Sequence, residues 1–179
     1  MNINITNAQN AIISAIKQNF KRVTVESYDP SADLSALAPA CLLDLEEFPK
    51  GPDVGDGRYP ARCRFSVHCI LGHEVDELQL ELREFAVAVS QFVSEEGMWV
   101  GGSVMTAPTN IDAYPGNFKK DTNGGYDSWV VSWEQTIYLG ESKWEAPEER
   151  GGIRLATNPQ NDDQPEEYQP LEITDAPTN

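Results

Sequence analysis

The sequence predicts an α/β (α+β) fold, with strands and helices in one body, and three observations carry that prediction. Residues 61–71 alternate apolar and polar side chains, as a half-buried strand does. Residues 74–95 repeat apolar side chains at helical spacing, and residues 129–139 return to alternation. At 179 residues the chain has the length of one domain with a moderately large core.

The first element is an amphipathic helix. Thr6 and Gln9 fit a capping box, in which each side chain satisfies a backbone N–H at the helix start. Ala8, Ile12, Ile16 and Phe20 then recur every fourth residue, giving about four turns with one apolar face. Val23 and Val25 begin a short strand, and residues 27–38, punctuated by Pro30, read as loop. Residues 40–45 (Ala-Cys-Leu-Leu-Asp-Leu) form a nearly continuous apolar run that suits a strand buried on both faces. Three prolines and three glycines make residues 46–60 a loop.

In the strand at 61–71, Ala61, Cys63, Phe65, Val67, Cys69 and Leu71 face one way. Arg62, Arg64, Ser66 and His68 face the other. The helix that follows places Val75, Leu78, Leu82, Phe85, Val89 and Phe92 on one stripe, and Gly97 is its natural stop. Burying six such side chains is worth on the order of 10 kcal/mol, so packing and not intrinsic propensity fixes this helix. Leu80 and Val87, seven residues apart, lie on the opposite side.

Residues 103–107 are expected to form a short strand. Residues 108–127 are expected to form a long loop carrying Lys119 and Lys120, a rare basic pair in this chain. In the last strand, Trp129, Val131, Trp133, Ile137 and Leu139 line one face and Ser132, Glu134 and Thr136 the other. Composition then changes. Residues 1–144 form the folded domain. Residues 145–179 are an acidic, proline-rich C-terminal tail, expected to lack stable structure because it has too little apolar surface to offset its ordering entropy. Tyr168, Leu171 and Ile173 are its candidates for docking.

The formal net charge is −16, from 29 acidic and 13 basic residues. Such a chain is repelled by phosphate backbones and anionic membranes, and the charge also serves solubility. Three cysteines without dense spacing argue against a disulfide framework and for a reducing cytoplasm. Residues 1–10 lack the basic and apolar regions of a signal peptide, and no apolar run approaches the ~18–20 residues of a membrane span.

No set of residues points to catalysis. Cys63, His68, Cys69 and His73 invite a zinc reading, but Cys63 and Cys69 face away from His68 on one strand. The run Gly51-Pro-Asp-Val-Gly-Asp-Gly lacks the Gly-Lys-Ser/Thr ending that cradles phosphate, and Asp53 and Asp56 lack the rest of a calcium loop. Asp44, Glu46 and Glu47 could bind magnesium in a nuclease, yet no lysine motif accompanies them. No serine occupies a Gly-x-Ser-x-Gly elbow. No cofactor and no enzymatic activity are expected.

The order helix, buried strand, proline-rich loop, alternating strand, amphipathic helix and final hairpin resembles the tail terminator proteins of long-tailed bacteriophages, the lambda type among them. Residues 7–20, 40–48, 61–71, 74–93 and 128–142 carry the likeness, which spans about 1–144. It is a likeness of architecture, strongest in flavour at the last strand, and it transfers no individual functional residue. It implies a mixed or antiparallel sheet with two main helices packed on it. It further implies a homo-hexameric ring at the head-proximal end of a tail in the virion, assembled in the host cytoplasm. That ring stops polymerisation of the tail tube protein, offers the joining surface to the head–tail connector or neck protein, and can meet a tail sheath. Genomic DNA passes through its lumen without specific binding, and no membrane is involved.

A closed ring needs two different patches on each subunit. Leu80 and Val87, with Glu84 between them, are the candidates for one patch, and the 108–127 loop, with Lys119 and Lys120, for part of the other. Another neck or baseplate structural protein, or an enzyme or small-molecule-binding domain, are the competing readings.

Overall fold

The computed structural model describes residues 4–100, 104–120, 124–143, 154–155 and 169–170. It divides into two compact units, residues 1–143 and 144–179. The first is α/β, as the sequence predicts. Its elements run α1 (Ile5–Asn19), β1 (Thr24–Ser27), α2 (Leu34–Leu37), β2 (Ala40–Glu47), β3 (Tyr59–Gly72), α3 (Leu78–Glu96), β4 (Thr109–Pro115) and β5 (Tyr126–Leu139).

The five strands form one mixed sheet in the order β1-β2-β3-β5-β4. β1 pairs with β2 in parallel, and every other pairing is antiparallel. β3 and β5 are its spine, paired without interruption from Tyr59↔Leu139 to Gly72↔Tyr126. The face that carries Cys41, Leu43, Phe65, Val67, Val131 and Trp133 is covered by Ala8, Ile12 and Ile16 of α1 and Ala86, Val89 and Val93 of α3. On the opposite face a smaller cluster of Leu34, Ala40, Leu42 and Ile70 packs with Tyr28, Leu37, Phe118 and Tyr126.

Several local expectations are corrected. α1 is capped by Asn4, whose side chain accepts from the Asn7 N–H at 2.8 Å, so Thr6 and Gln9 lie inside the helix and form no capping box. A short α2 interrupts the expected loop at 27–38. α3 begins at Leu78 and not near Glu74, because residues 73–77 are taken up by a turn and Glu77 sits in the left-handed region at φ 51. Its buried stripe is Leu82, Ala86, Val89 and Val93. Phe85 and Phe92 are turned toward α1 and are half-buried there, edge-on to Phe20 at 6.1 and 5.7 Å. The small Ala86 side chain thus lies against the sheet while the large rings fill the angle between the helices.

Gly97 does end α3, but at φ −63, not in the left-handed conformation of the usual glycine stop. Its requirement is space: a Cβ there would overlap Pro108 and the Val93 carbonyl.

The 108–127 segment is not one loop. Residues 109–115 form β4, an edge strand that is almost wholly exposed. With neither face buried it has no apolar alternation to read. The expected strand at 103–107 reduces, among the described residues, to a single bridge between Met105 and Ile137. Arg62 and Arg64 of β3 are exposed as expected, but Ser66 is buried, and Ile70 is buried within the smaller cluster.

In the second unit, β6 (Arg154–Leu155) pairs antiparallel with β7 (Gln169–Pro170), a contact the composition does not predict. The docking residues expected at Tyr168, Leu171 and Ile173 lie outside the described residues.

Candidate functional site

The residues singled out as contact candidates occupy two separated surfaces. Leu80, Glu84 and Val87 all lie on the outward side of α3, and Leu80 and Val87 are each 49% exposed. A helix turns by roughly 100° per residue, so the face opposite Leu82 and Val89 must carry them. Lys119 and Lys120 follow β4 on the other side of the sheet. The Lys120 Nζ donates to Ser35 Oγ at 3.3 Å, and its backbone pairs with Tyr126. That places the basic pair over the smaller cluster, remote from α3. The structure therefore does not bring the five residues together.

A third surface escaped the sequence reading. The C-terminal halves of α1 and α3 border an open groove of about 720 Å³, lined by Ala15, Phe20, Ala88, Phe92, Met98 and Trp99 and by the polar Gln18, Asn19, Gln91, Glu95 and Glu96. Phe92 and Trp99 could be found in the sequence as large apolar residues near a helix end. The groove itself depends on how two distant helices lie, which no periodicity reports.

Beneath the groove sits Gln135, buried on the apolar face of β5 between Trp133 and Ile137. Its Oε1 accepts from the indole N–H groups of Trp99 (2.9 Å) and Trp133 (2.8 Å). Its Nε2 donates to the carbonyls of Gly97 (2.7 Å) and Thr106 (2.8 Å). All four positions of the amide are filled. The clasp joins the end of α3, the segment before β4 and the sheet. A glutamine in register with Trp133 and Ile137 was the available signal.

The opposite face carries an open polar strip. Arg64 bonds Glu134 at 3.1 Å and lies 3.5 Å from Glu47, across three strands. Asp44, Ser66 and Ser132 stand in one cross-strand row beside it. Asp56 accepts from the backbone N–H of Arg58, which holds its carboxyl below the usual range.

The Cys41 thiol is pushed up by its hydrogen bond to Cys69, its cross-strand partner, and by burial. Burial raises Cys63 to about 11. A thiol in that state is a poor nucleophile and a poor metal ligand. His68 lies on the other face, its ring centroid 4.5 Å from that of Phe118 and 5.6 Å from that of Tyr28. Burial lowers its pKa, against the opposing pull of Asp44 and Glu46. Among the described residues, no group of three or more His, Cys, Asp or Glu side chains is arranged to hold a metal ion. No helix among them is long and apolar enough to cross a membrane.

No protein-family model matches the chain, and no curated protein matches it at significant similarity.

Proposed function

We propose that this chain is a structural assembly protein of the tail terminator kind. It forms a ring that caps the head-proximal end of a phage tail tube, stops tube polymerisation and offers the surface to which the head connector joins. The observation that carries the reading is the placement of the contact candidates. Leu80 and Val87 are half-exposed apolar side chains on α3, and Lys119 and Lys120 lie on the far side of the sheet. Two unlike patches on different sides of one subunit are what a closed heterologous ring requires.

The order of elements supports it as well, from α1 through the doubly buried start of β2 to the β4–β5 hairpin. So does the net charge of −16, which lets DNA pass a lumen without adhering.

The test is location and length control. A phage lacking the protein should make filled heads and unjoined tail tubes that overrun their normal length. Purified protein should form rings in negative stain, cap those tubes and restore joining. Tails of normal length attached to heads in its absence would overturn the proposal and favour a neck or baseplate role.

A further inference from the structure

Cys41 and Cys69 stand directly opposite each other on β2 and β3, facing the helix-covered core. The backbone hydrogen bonds around β2 say what kind of pair they are. The Pro39 carbonyl accepts from the Thr24 N–H at 2.9 Å and the Leu43 carbonyl from the Tyr28 N–H at 2.7 Å, so both point toward the β1 side. Backbone polar groups alternate sides along a strand, and Cys41, midway between those two residues, points its own the same way. Cys41 and Cys69 are therefore a non-hydrogen-bonded antiparallel pair. In such a pair the Cα atoms stand about 4.5 Å apart and the side chains come closest. That separation lies within the range a disulfide spans. Both cysteines are free, and their thiols hydrogen-bond to each other.

The third cysteine provides a control. Cys63 lies opposite Gln135, and its thiol donates to the Ala61 carbonyl at 3.7 Å. It is separated from Cys69 along β3 by about 20 Å at strand spacing, so the fold keeps it from both of the others. The folded chain thus admits one pairing where the unfolded chain admits every pairing.

We propose that Cys41 and Cys69 form a redox-sensitive lock: in an oxidising medium they close to a disulfide that fastens β2 to β3, and in a reducing one they remain thiols. The oxidant is a small-molecule disulfide. One cysteine thiolate attacks it and expels a first thiol, and the other cysteine attacks the resulting mixed disulfide and expels a second. One S–S bond breaks and one forms, and the protons and electrons the two cysteines lose leave on the two expelled thiols. Both side chains are wholly buried, so closure waits on local opening of the sheet and not on encounter alone. The link closes a loop of residues 42–68, which restricts the unfolded chain more than the folded one. The inference does not require the ring or its place in a particle.

Incubating the full chain with 2-hydroxyethyl disulfide, then blocking the remaining thiols and digesting with trypsin, tests it. Lys50, Arg62 and Arg64 leave Cys41, Cys63 and Cys69 on separate peptides. The folded chain should give the Cys41–Cys69 link alone, with Cys63 recovered as a blocked thiol. The chain unfolded in urea should give mixed pairings, about a hundredfold faster. Cys63→Ala should leave the product of the folded chain unchanged. The linked chain should melt about 5 °C or more above the reduced one, and dithiothreitol should reverse the shift. Absence of the link, mixed disulfides that never resolve into it, the same mixture of pairings folded as unfolded, or an unchanged melting temperature would overturn the proposal.

Discussion

On the helix-covered face of the sheet, Gln135 is buried with all four of its hydrogen-bonding positions filled, whereas on the other face Ser66 Oγ and His68 Nδ1 are buried with no hydrogen-bond partner among the described residues. The first face lies under two long helices and around Trp133 and Phe65, where an unpaired buried amide would cost its desolvation. The second is covered by residues 28–38 and the stretch around Phe118, and it passes directly into the open strip of Arg64, Glu47 and Glu134. Completeness of polar pairing therefore follows the depth of the cover. The thin face also holds His68, whose pKa is lowered by burial.

The largest expected effect is that of Gln135→Leu. It leaves two indole N–H groups and two carbonyls without their partner, at ~1–3 kcal/mol for each group left unsatisfied. A loss of about 4 kcal/mol or more in urea unfolding is expected. A loss below about 1 kcal/mol would mean that the clasp is incidental and would remove the contrast between the faces.

Leu43 and Leu42 sharpen it further, since they are neighbours on β2, both fully buried, one in each cluster. Each truncation to alanine should cost about 2–5 kcal/mol. Leu43→Ala should be the costlier by about 1 kcal/mol, because the thin cover over Leu42 can collapse into the cavity and the helices over Leu43 cannot. Equal unfolding midpoints would contradict this difference in cover.

A smaller effect comes from His68. Its pKa in the folded chain lies below the unfolded value, which is about 6.5. The unfolded chain thus binds more protons between the two values, and stability falls as pH drops through that window. The melting temperature should decline below about pH 6.5, and His68→Phe should flatten that decline. A variant with the same slope would place the titrating group elsewhere.

The smallest effect on stability should be that of Val87→Asp, within ~0.5 kcal/mol because the position is exposed. Sedimentation should nonetheless show weakened self-association. An unfolded Val87→Asp monomer would mean that the outward side of α3 is core after all.

Legibility of the fold followed burial. The helix at Ala8, Ile12 and Ile16, the doubly buried start of β2 and the alternation of β3 and β5 could be read because one face, or both, must be apolar. β4 could not, since a strand exposed on both faces has no pattern to impose, and Pro108 and Pro115 resemble loop punctuation. The stripe of α3 was read one flank off, because Phe85 and Phe92 are more hydrophobic than Ala86 and Val93, yet the sheet admits the smaller pair. Of the contact candidates, the exposure of Leu80, Glu84 and Val87 followed from spacing alone. The groove did not, because its walls come from residues about seventy positions apart.

The two edges of the sheet carry a consequence for handling at high concentration. β1 is four residues long, and β4 is interrupted by a register shift between Thr109 and Asp112, has Asn110 at φ 52 and ends at Pro115. A flat strand from another molecule finds neither edge a template, because the row of amides and carbonyls it would continue is short on one side and broken on the other. Edge-to-edge pairing of two copies through this five-stranded sheet is therefore disfavoured, and contact between copies along these edges falls to side chains.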